Sequence, residues 1–340
     1  MKKIAALVLA AMLSVLSAAV ALPNAQDGQA SIAGPSRLEK RIRDVFRAAD
    51  GEVGVAVRHP ESGTAVAING DTLFPMASAF KIPILVEVLF QVSEGRLGLD
   101  DEVRVRKADQ HMGSGLLSDL EAPGIVLSVR NLINLMMFIS DNSATDLLLA
   151  RVGPENVTRR MKSLGIDGVS VDRPCQRLIM DFLGMDYAAL RGKPLDEVTA
   201  AYRNLGRRTD EEYRRAVIAY SADPRDQATP RAMNALLEKI FKKDILDPAA
   251  CDMILSIMRR CQTGEARIKG ELPPGTVVAH KTGTIAGTVD DCGIIDLPDG
   301  RGHVILTVWT KNFMGKTSEV EAIIAKIARL AYDYFYFTSM

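Results

Sequence analysis

The sequence predicts an α+β fold: an antiparallel sheet flanked by N- and C-terminal helices, with an inserted all-helical domain. Two observations predict it. Alternating apolar segments typical of strands lie near both ends of the chain, whereas the periodicity from Ser78 to about Arg260 is mostly helical. One sheet built from both ends, beside a helical insertion, satisfies this pattern. We therefore expect a cleft between two domains, where ligand sites are favoured.

The composition is that of a globular protein. Of 340 residues, 25% are charged and 47% are hydrophobic, and 42 Lys and Arg balance 42 Asp and Glu. These values exclude a disordered chain, collagen and a polytopic membrane protein. Nucleic acid is excluded as a partner, because binding its phosphates requires clustered basic residues. We expect a monomer.

The first residues form a predicted signal peptide, residues 1–21. Lys2 and Lys3 precede the apolar run from Ile4 to Leu13, and small residues follow it. An uncleaved membrane anchor is the alternative, but the apolar run is too short to span a bilayer, and so is every later one. We expect a periplasmic or secreted protein without a stable membrane span, beginning with a loose leader at residues 22–35.

The outer parts of the chain, residues 36–75 and 262–340, form the predicted α/β domain. Its strands are expected at 53–58, 64–68, 276–281, 293–297 and 303–310. The turn-forming segment from His59 to Gly63 joins the first two strands. The capping-box signatures Ser36-x-x-Glu39 and Ser318-x-x-Glu321 predict the starts of its two helices.

The middle of the chain, residues 76–261, forms the predicted helical domain. Leu127 to Ile139 gives its clearest helical pattern, with Ser128 as the cap and an apolar face that fits a core. Residues 181–223 form an extra helical insertion. Its helices are expected near 194–203 and 209–220. The insertion either roofs the cleft or is a surface elaboration without a catalytic part.

The cysteines and histidines form no metal-site pattern. In an exported chain the four cysteines can form disulfides: Cys175, Cys251, Cys261 and Cys292. Cys251 and Cys261 are too far apart along one predicted helix to pair, and the other pairings stay open. No C-x-x-C occurs and the four histidines lack the spacing of zinc ligands, so we expect no metal and no cofactor.

The first of three motifs with chemical meaning is Ser78-Ala79-Phe80-Lys81. It opens an apolar helix, and its spacing places Lys81 one turn beyond Ser78. A serine hydroxyl becomes a nucleophile when a base takes its proton. A lysine amine can act as that base if the helix N-terminus or a second cation disfavours its charged form.

The other two motifs are Ser140-Asp141-Asn142 and Lys281-Thr282-Gly283, the latter at the end of a predicted strand. We predict that Ser140 relays a proton toward a departing nitrogen and that Asn142 holds an amide. Lys281 and Thr282 would bind a carboxylate. Gly283 would let the substrate approach the edge strand.

Together, in this order, the three motifs resemble the serine β-lactamase and penicillin-binding-protein superfamily, most closely the class A β-lactamases. The similarity extends from about Leu38 to Leu330. It implies a β-lactamase or transpeptidase-like fold, an acylated Ser78, and Lys81 as its base or proton relay. The backbone N–H groups of Ser78 and Thr284 would form the oxyanion hole. The substrate would be a small β-lactam or a peptidoglycan peptide.

One departure from the family separates two outcomes. Class A enzymes carry a loop glutamate that activates the deacylating water. Cys175 stands near its place, and the nearest carboxylates are Asp181 and Asp172, which we expect to hold the loop through Arg173. If a water is still activated, the protein is a β-lactamase-like hydrolase. Otherwise the acyl-enzyme stalls, as in a D-alanyl-D-alanine-peptidase-like or penicillin-binding sensor protein.

A cysteine nucleophile is a rival hypothesis, with Cys175 served by His111 or His280. No cysteine-protease signature surrounds Cys175, and His280 should point to the opposite face from Lys281 on the same strand. A catalytically dead binding module is a further alternative, but all three motifs that support acylation are intact. The sequence therefore favours an exported serine hydrolase of β-lactamase type.

Overall fold

The computed structural model describes residues 27–339, with side chains from residue 36 onward. The predicted signal peptide lies outside the described residues. The strands are β1 (Glu52–His59), β2 (Thr64–Ile68), β3 (Phe74–Pro75), β4 (Glu102–Arg104), β5 (Val126–Ser128), β6 (Gln227–Ala228), β7 (Val278–Ile285), β8 (Thr288–Asp296) and β9 (His303–Lys311). The helices are α1 (Asp27–Val45), α2 (Lys81–Ser93), α3 (Val129–Phe138), α4 (Asn142–Val152), α5 (Pro154–Ser163), α6 (Cys175–Leu183), α7 (Tyr187–Leu190), α8 (Leu195–Asn204), α9 (Asp210–Ala222), α10 (Pro230–Lys242), α11 (Pro248–Arg259) and α12 (Thr317–Thr338).

A five-stranded antiparallel sheet with the order β2-β1-β9-β8-β7 lies at the centre of the molecule. Terminal helices α1 and α12 pack together and share one hydrophobic core with the sheet, which includes Leu38, Ile324 and Phe335. A second core joins the sheet to the helices of the middle segment and contains Phe80 and Trp309. The predicted antiparallel α+β fold is confirmed, and β7 is an edge strand.

One predicted helix start and one predicted helix cap were wrong. Helix α1 begins at Asp27 rather than Ser36, so the last part of the predicted leader is helical. Helix α12 has no side-chain cap, and Glu321 of the predicted capping box pairs with Arg267 instead, at 3.2 Å. A local spacing rule misses this pair because the two residues come from distant segments of the chain.

Strands β7 and β8 are longer than predicted. Because β7 continues to Ile285, Lys281-Thr282-Gly283 lies inside the strand rather than at its end. Strand β8 begins well before the predicted position and contains Asp290 and Asp291. Both carboxylates are buried: Asp290 accepts a hydrogen bond from Thr310 N, and Asp291 lies 3.0 Å from His280 Nδ1. Buried carboxylates break the apolar alternation from which strands are predicted.

The helical segment agrees with several local predictions. Ser128 caps α3 by accepting a hydrogen bond from Asn131 N at 3.2 Å. Helices α8 and α9 match the two helices expected in the insertion. All four cysteines are free and buried, so no disulfide forms between them. In the part of the chain that the structure describes, no helix is long and apolar enough to cross a membrane.

Candidate active site

The three motifs meet at one cavity of about 430 Å³ between edge strand β7 and the helical segment. The predicted site residues that line it are Ser78, Ser140, Asn142, Thr282 and Thr284. Lys81, Lys281 and Gly283 lie directly behind this lining, as their contacts below establish. The fold therefore brings together residues that are distant in sequence.

Ser78 lies in a short 3-10 turn, Ala77–Phe80, which leads into α2 at Lys81. Its side chain is half-buried at the cavity. The preceding residue, Ala77, has a φ of +43°. A left-handed conformation costs a residue with a Cβ about 1–2 kcal/mol, and such strain clusters at functional sites. The surrounding packing thus holds the backbone that leads into Ser78 in a strained conformation.

Gly283 allows β7 to lie against the Ser78 turn. A Cβ added at Gly283 would lie 2.7 Å from Met76 O and 3.2 Å from Ser78 N. These distances are shorter than ordinary van der Waals contacts to backbone atoms, so any side chain would push the strand away from the turn. Glycine therefore sets the spacing between Ser78 and the carbonyl and N–H groups of the edge strand.

Two buried lysines converge on Ser140. Lys81 Nζ donates to Ser140 O at 2.7 Å, to Ser140 Oγ at 3.0 Å and to Asn142 Oδ1 at 2.9 Å. Lys281 Nζ donates to Ser140 Oγ, also at 3.0 Å, and to Thr282 O. Among the described residues, Ser78 Oγ forms no hydrogen bond with Lys81. Ser140 Oγ is thus the bridge between the two amines.

The surroundings of the lysines disfavour their charged forms. Burial lowers the pKa of the Lys81 amine below its ordinary value, against the opposing effects of Cys175, Asp146 and Asp141. Burial and the positive charge of Lys81 lower the pKa of Lys281 to about 7. Two ammonium groups on one hydroxyl repel each other, so one amine loses its proton readily. A neutral Lys81 can accept a proton.

The Ser140 segment is held by the connection between β4 and β5. Ser140 itself has a φ of +61°. Asp141 caps α4 and accepts hydrogen bonds from Leu116 N and Leu117 N at 2.7 and 2.9 Å. Ser114 Oγ donates to Ser140 O at 2.7 Å. These contacts fix the Ser140 hydroxyl at the cavity despite the strained backbone.

A family model described as the beta-lactamase enzyme family matches residues 37–335. The chain belongs to this family. The beta-lactamase VEB-1 of Pseudomonas aeruginosa is 29% identical to it, over 90% of this chain and 92% of the relative. The solved structure of an ancestral (GNCA) class A beta-lactamase has a TM-score of 0.70 and 27% identity, covering 87% of this chain and 99% of the other. The structure of PBP-A shares the fold, with a TM-score of 0.70, 24% identity, and coverage of 88% and 96%. The predicted class A resemblance is confirmed.

One side of the cavity of this β-lactamase-family chain is apolar. Helix α6 covers it with Leu178, Ile179, Phe182 and Leu183, and Ile285 completes the apolar lining. Tyr220 of α9 packs edge-on against Phe182, with ring centroids 5.9 Å apart. Of residues 181–223, the predicted insertion, only Phe182 and Leu183 line the cavity, and α9 packs against Phe182.

Cys175 begins α6 and lines the cavity, where the family glutamate was expected. Asp146 accepts hydrogen bonds from Cys175 N at 2.6 Å and from Gln176 N at 3.0 Å, which caps the helix. Burial, reinforced by Asp146, raises the pKa of the Cys175 thiol well above its ordinary value. The thiol is therefore neutral and cannot act as a base.

The structure does not support the cysteine-nucleophile hypothesis at Cys175. His111 Nδ1 lies 2.7 Å from Asp146 Oδ2, although its alignment is poor for a hydrogen bond. His280 Nδ1 lies 3.0 Å from Asp291. Neither imidazole forms a hydrogen bond with the Cys175 thiol among the described residues. A thiol with a raised pKa and no basic partner is a poor nucleophile.

The carboxylates nearest to Cys175 in the sequence, Asp172 and Asp181, form contacts within the loop rather than at the cavity. Asp172 was expected to pair with Arg173, but it accepts a hydrogen bond from Asp226 N, and this prediction was wrong. Arg173 donates to Asp226 at 2.5 Å and to Asp181 at 2.6 Å. Asp181 is thus held in an ion pair and does not line the Ser78 cavity. The sequence could not reveal these partners because Asp226 is far along the chain.

Two polar residues of the cavity were missed by sequence reasoning. Arg267 is buried and donates to Gly283 O at 2.9 Å and to Thr284 Oγ1 at 2.6 Å. Thr263 Oγ1 lies 2.6 Å from Thr282 Oγ1. Both residues lie in the connection between α11 and β7, where no periodic pattern marks them. In the described residues, no group of three or more His, Cys, Asp or Glu could hold a metal ion.

Proposed function

We propose that this protein is an exported, monomeric serine hydrolase that opens β-lactam rings through an acyl-enzyme on Ser78. The observation that carries the proposal is the meeting of Lys81 and Lys281 on Ser140 Oγ, each at 3.0 Å, beside Ser78. This arrangement supplies a base, a proton relay and a cation for an anionic substrate in one cavity. The reaction requires no cofactor.

In the proposed acylation step, neutral Lys81 accepts the proton of Ser78 as Ser78 Oγ attacks the lactam carbonyl carbon. The C–N bond of the ring breaks, and Ser140 passes a proton to the departing nitrogen. The backbone N–H groups of Ser78 and Thr284 stabilise the oxyanion. Asn142 positions the side-chain amide of the β-lactam substrate. Lys281, Thr282 and Thr284 bind the carboxylate of the substrate.

Release of the acyl group is proposed to be slow. The described residues that line the cavity include no Asp, Glu or His, and Cys175 is neutral. Because Lys281 is proposed to bind the carboxylate as a cation, Lys81 is the group left to activate a water. A general base contributes about 10²–10⁴-fold to such a step, so its absence leaves a long-lived ester.

The second candidate is a D-alanyl-D-alanine-peptidase-like enzyme or penicillin-binding sensor. The absence of Asp and Glu from the described cavity lining favours it. Without a base to activate water, the acyl-enzyme persists until another acceptor, such as an amine, reacts with the ester. Acylation by a peptidoglycan peptide ending in D-alanyl-D-alanine, followed by transfer to an added amine, would distinguish this candidate from a β-lactamase.

Intact-mass spectrometry after brief exposure to penicillin tests the proposal. We expect wild-type protein to gain the mass of one penicillin and to retain it for hours. The Ser78→Ala variant should gain none, because the nucleophilic hydroxyl is gone. Labelling of Ser78→Ala to the wild-type extent would refute the assignment of Ser78.

A further inference from the structure

A second cavity, of about 490 Å³, lies at the start of α6. The segment after β4, helix α4, the first residues of α6 and the region of α7 form its walls. Among the described residues, none lines both this cavity and the Ser78 cavity. The proposed reaction therefore gives the second cavity no role, and the chemistry of its lining indicates what it can bind.

The second cavity has an excess of positive charge. Its charged lining residues are Arg104, Arg106, Arg151, Arg191, Asp109 and Asp146. Arg106 donates to both carboxylate oxygens of Asp109, at 2.9 and 2.6 Å, so these two charges offset each other. Asp146 already accepts from the N–H groups of Cys175 and Gln176. The other three arginines form no hydrogen bond or ion pair with a carboxylate in the part of the chain that the structure describes. Three guanidinium groups can therefore bind an anion.

Gln176 lines the same cavity, and its side-chain amide lacks a hydrogen bond. The residue is 6% exposed, and its amide nitrogen Nε2 is buried with no partner among the described residues. Buried polar groups in folded proteins are almost always hydrogen-bonded, because an unpaired donor has lost its contacts with water. A ligand oxygen in the cavity would supply the missing acceptor. This observation is independent of the arginine charges and indicates the same kind of ligand.

Helix α7 and its C-cap residue complete the second cavity with Tyr187 and Arg191. The Tyr187 side chain packs against a small core that contains Met180 and Val198. Arg177 of α6 also lies over the Tyr187 ring, 5.4 Å from its centroid. These contacts anchor α7, so this wall of the cavity is formed without a ligand. The predicted insertion thus contributes a wall to the second cavity.

The ligand that fits these groups is an anion with more than one charged group. A guanidinium group binds a phosphate or a carboxylate through paired N–H donors. Three unpaired arginines and one amide therefore match two or more such groups. The volume of about 490 Å³, compared with about 430 Å³ for the Ser78 cavity, is in the range that holds an organic molecule.

We propose that the second cavity is a binding site for a small organic anion that bears two or more phosphate or carboxylate groups. Arg104, Arg151 and Arg191 bind the anionic groups, and the Gln176 amide donates to one of their oxygens. This site is additional to the proposed hydrolysis at Ser78 and does not depend on it. Pyrophosphate and citrate are suitable probes, because they carry the two kinds of anionic group.

Isothermal titration calorimetry of the full chain tests the site. In a buffer without divalent cations, at neutral pH and fixed ionic strength, we expect one bound probe molecule per chain. Tighter binding of pyrophosphate would support the site with a phosphate ligand, and tighter binding of citrate would support it with a carboxylate ligand. Failure of both probes to bind would overturn the proposal.

Arginine variants test whether the probe binds at this cavity. We expect Arg151→Gln and Arg191→Gln each to weaken binding of the tighter probe about tenfold, the usual contribution of a hydrogen bond to a charged group. Arg203→Gln is the matched control, because it removes the same charge from an exposed arginine of α8 outside the cavity lining. Equal weakening in Arg203→Gln would show unspecific attraction to positive charge and would overturn the proposal.

Gln176→Leu tests the amide contact through two measurements. Leucine has a similar size without hydrogen-bonding groups, and the amide has no partner to lose. The free variant should therefore unfold at the wild-type temperature or above it. The tighter probe should nevertheless bind about tenfold more weakly, because its oxygen loses a donor. Wild-type affinity in Gln176→Leu, Arg151→Gln and Arg191→Gln alike would place the probe elsewhere and overturn the proposal.

A variant of the Ser78 cavity separates this site from the proposed function. Lys281→Met removes a cation from that cavity and should bind the probe with wild-type affinity. Loss of binding in Lys281→Met would show that the probe occupies the Ser78 cavity and would overturn the second site. Failure of penicillin to acylate Ser78 would refute the proposed function, while the calorimetric comparison would still decide whether the second cavity binds the anion.

Discussion

The two sides of the Ser78 cavity differ in chemistry. On one side Lys81 and Lys281 share Ser140, and every described contact of these amines is a hydrogen bond to oxygen. On the other side α6 offers apolar side chains and the neutral thiol of Cys175. Under the proposed function, the groups for ester formation and those for ester hydrolysis come from different elements, so each set can be changed without the other.

Removing the base from the polar side should have the largest effect. We expect Lys81→Ala to slow acylation of Ser78 by roughly 10³-fold, within the range for loss of a general base. The rate of mass gain with penicillin measures it. Lys242→Ala, which removes an exposed lysine paired with Glu238, is the control. Labelling of Lys81→Ala at the wild-type rate would show that another group takes the Ser78 proton.

A carboxylate placed on the apolar side should give this side a base that activates water for ester hydrolysis. We expect Cys175→Glu to accelerate loss of the penicilloyl group about 10²-fold, the lower range of general-base catalysis. The rate at which the acylated mass returns to the free mass measures this. Cys175→Gln has a similar volume without a charge and should release the group slowly. Equal release rates in both variants would mean that volume, not basicity, limits the step.

The pH dependence of penicillin binding tests the role of Lys281 on the polar side. While Lys81 is protonated, burial and its charge hold the pKa of Lys281 at about 7, so Lys281 is charged below this pH and neutral above it. Binding of a carboxylate should therefore weaken as pH rises through 7, by up to about tenfold. The penicillin concentration that gives half of the maximal acylation rate should therefore rise as the pH is raised through 7. The same measurement with the methyl ester separates this effect from titration of Lys81, and an identical rise for the ester would contradict it.

The elements that have local sequence signals could be predicted from the sequence. Helical periodicity and the Ser128 cap placed α3, and the three motifs located the residues that meet at the cavity. The class A resemblance also predicts that Cys175 stands near the place of the family glutamate, and Cys175 lines the cavity. These features depend on residues a few positions apart, which is the range over which spacing is informative.

Features that depend on distant partners could not be predicted. Arg173 binds Asp226 rather than Asp172, and Glu321 pairs with Arg267 instead of capping α12. The Cys261 contact with Thr263 follows from a turn, but the link to Thr282 requires β7 to lie alongside. Such pairs form only after the sheet edge and the helical segment pack together.

Burst kinetics with a chromogenic cephalosporin test the central claim most directly. If Ser78 acylates readily and the apolar side cannot activate water, wild-type protein should release one equivalent of product rapidly and then turn over far more slowly. Linear product formation through many equivalents, without a burst, would contradict the account by showing that hydrolysis of the ester is not the slow step.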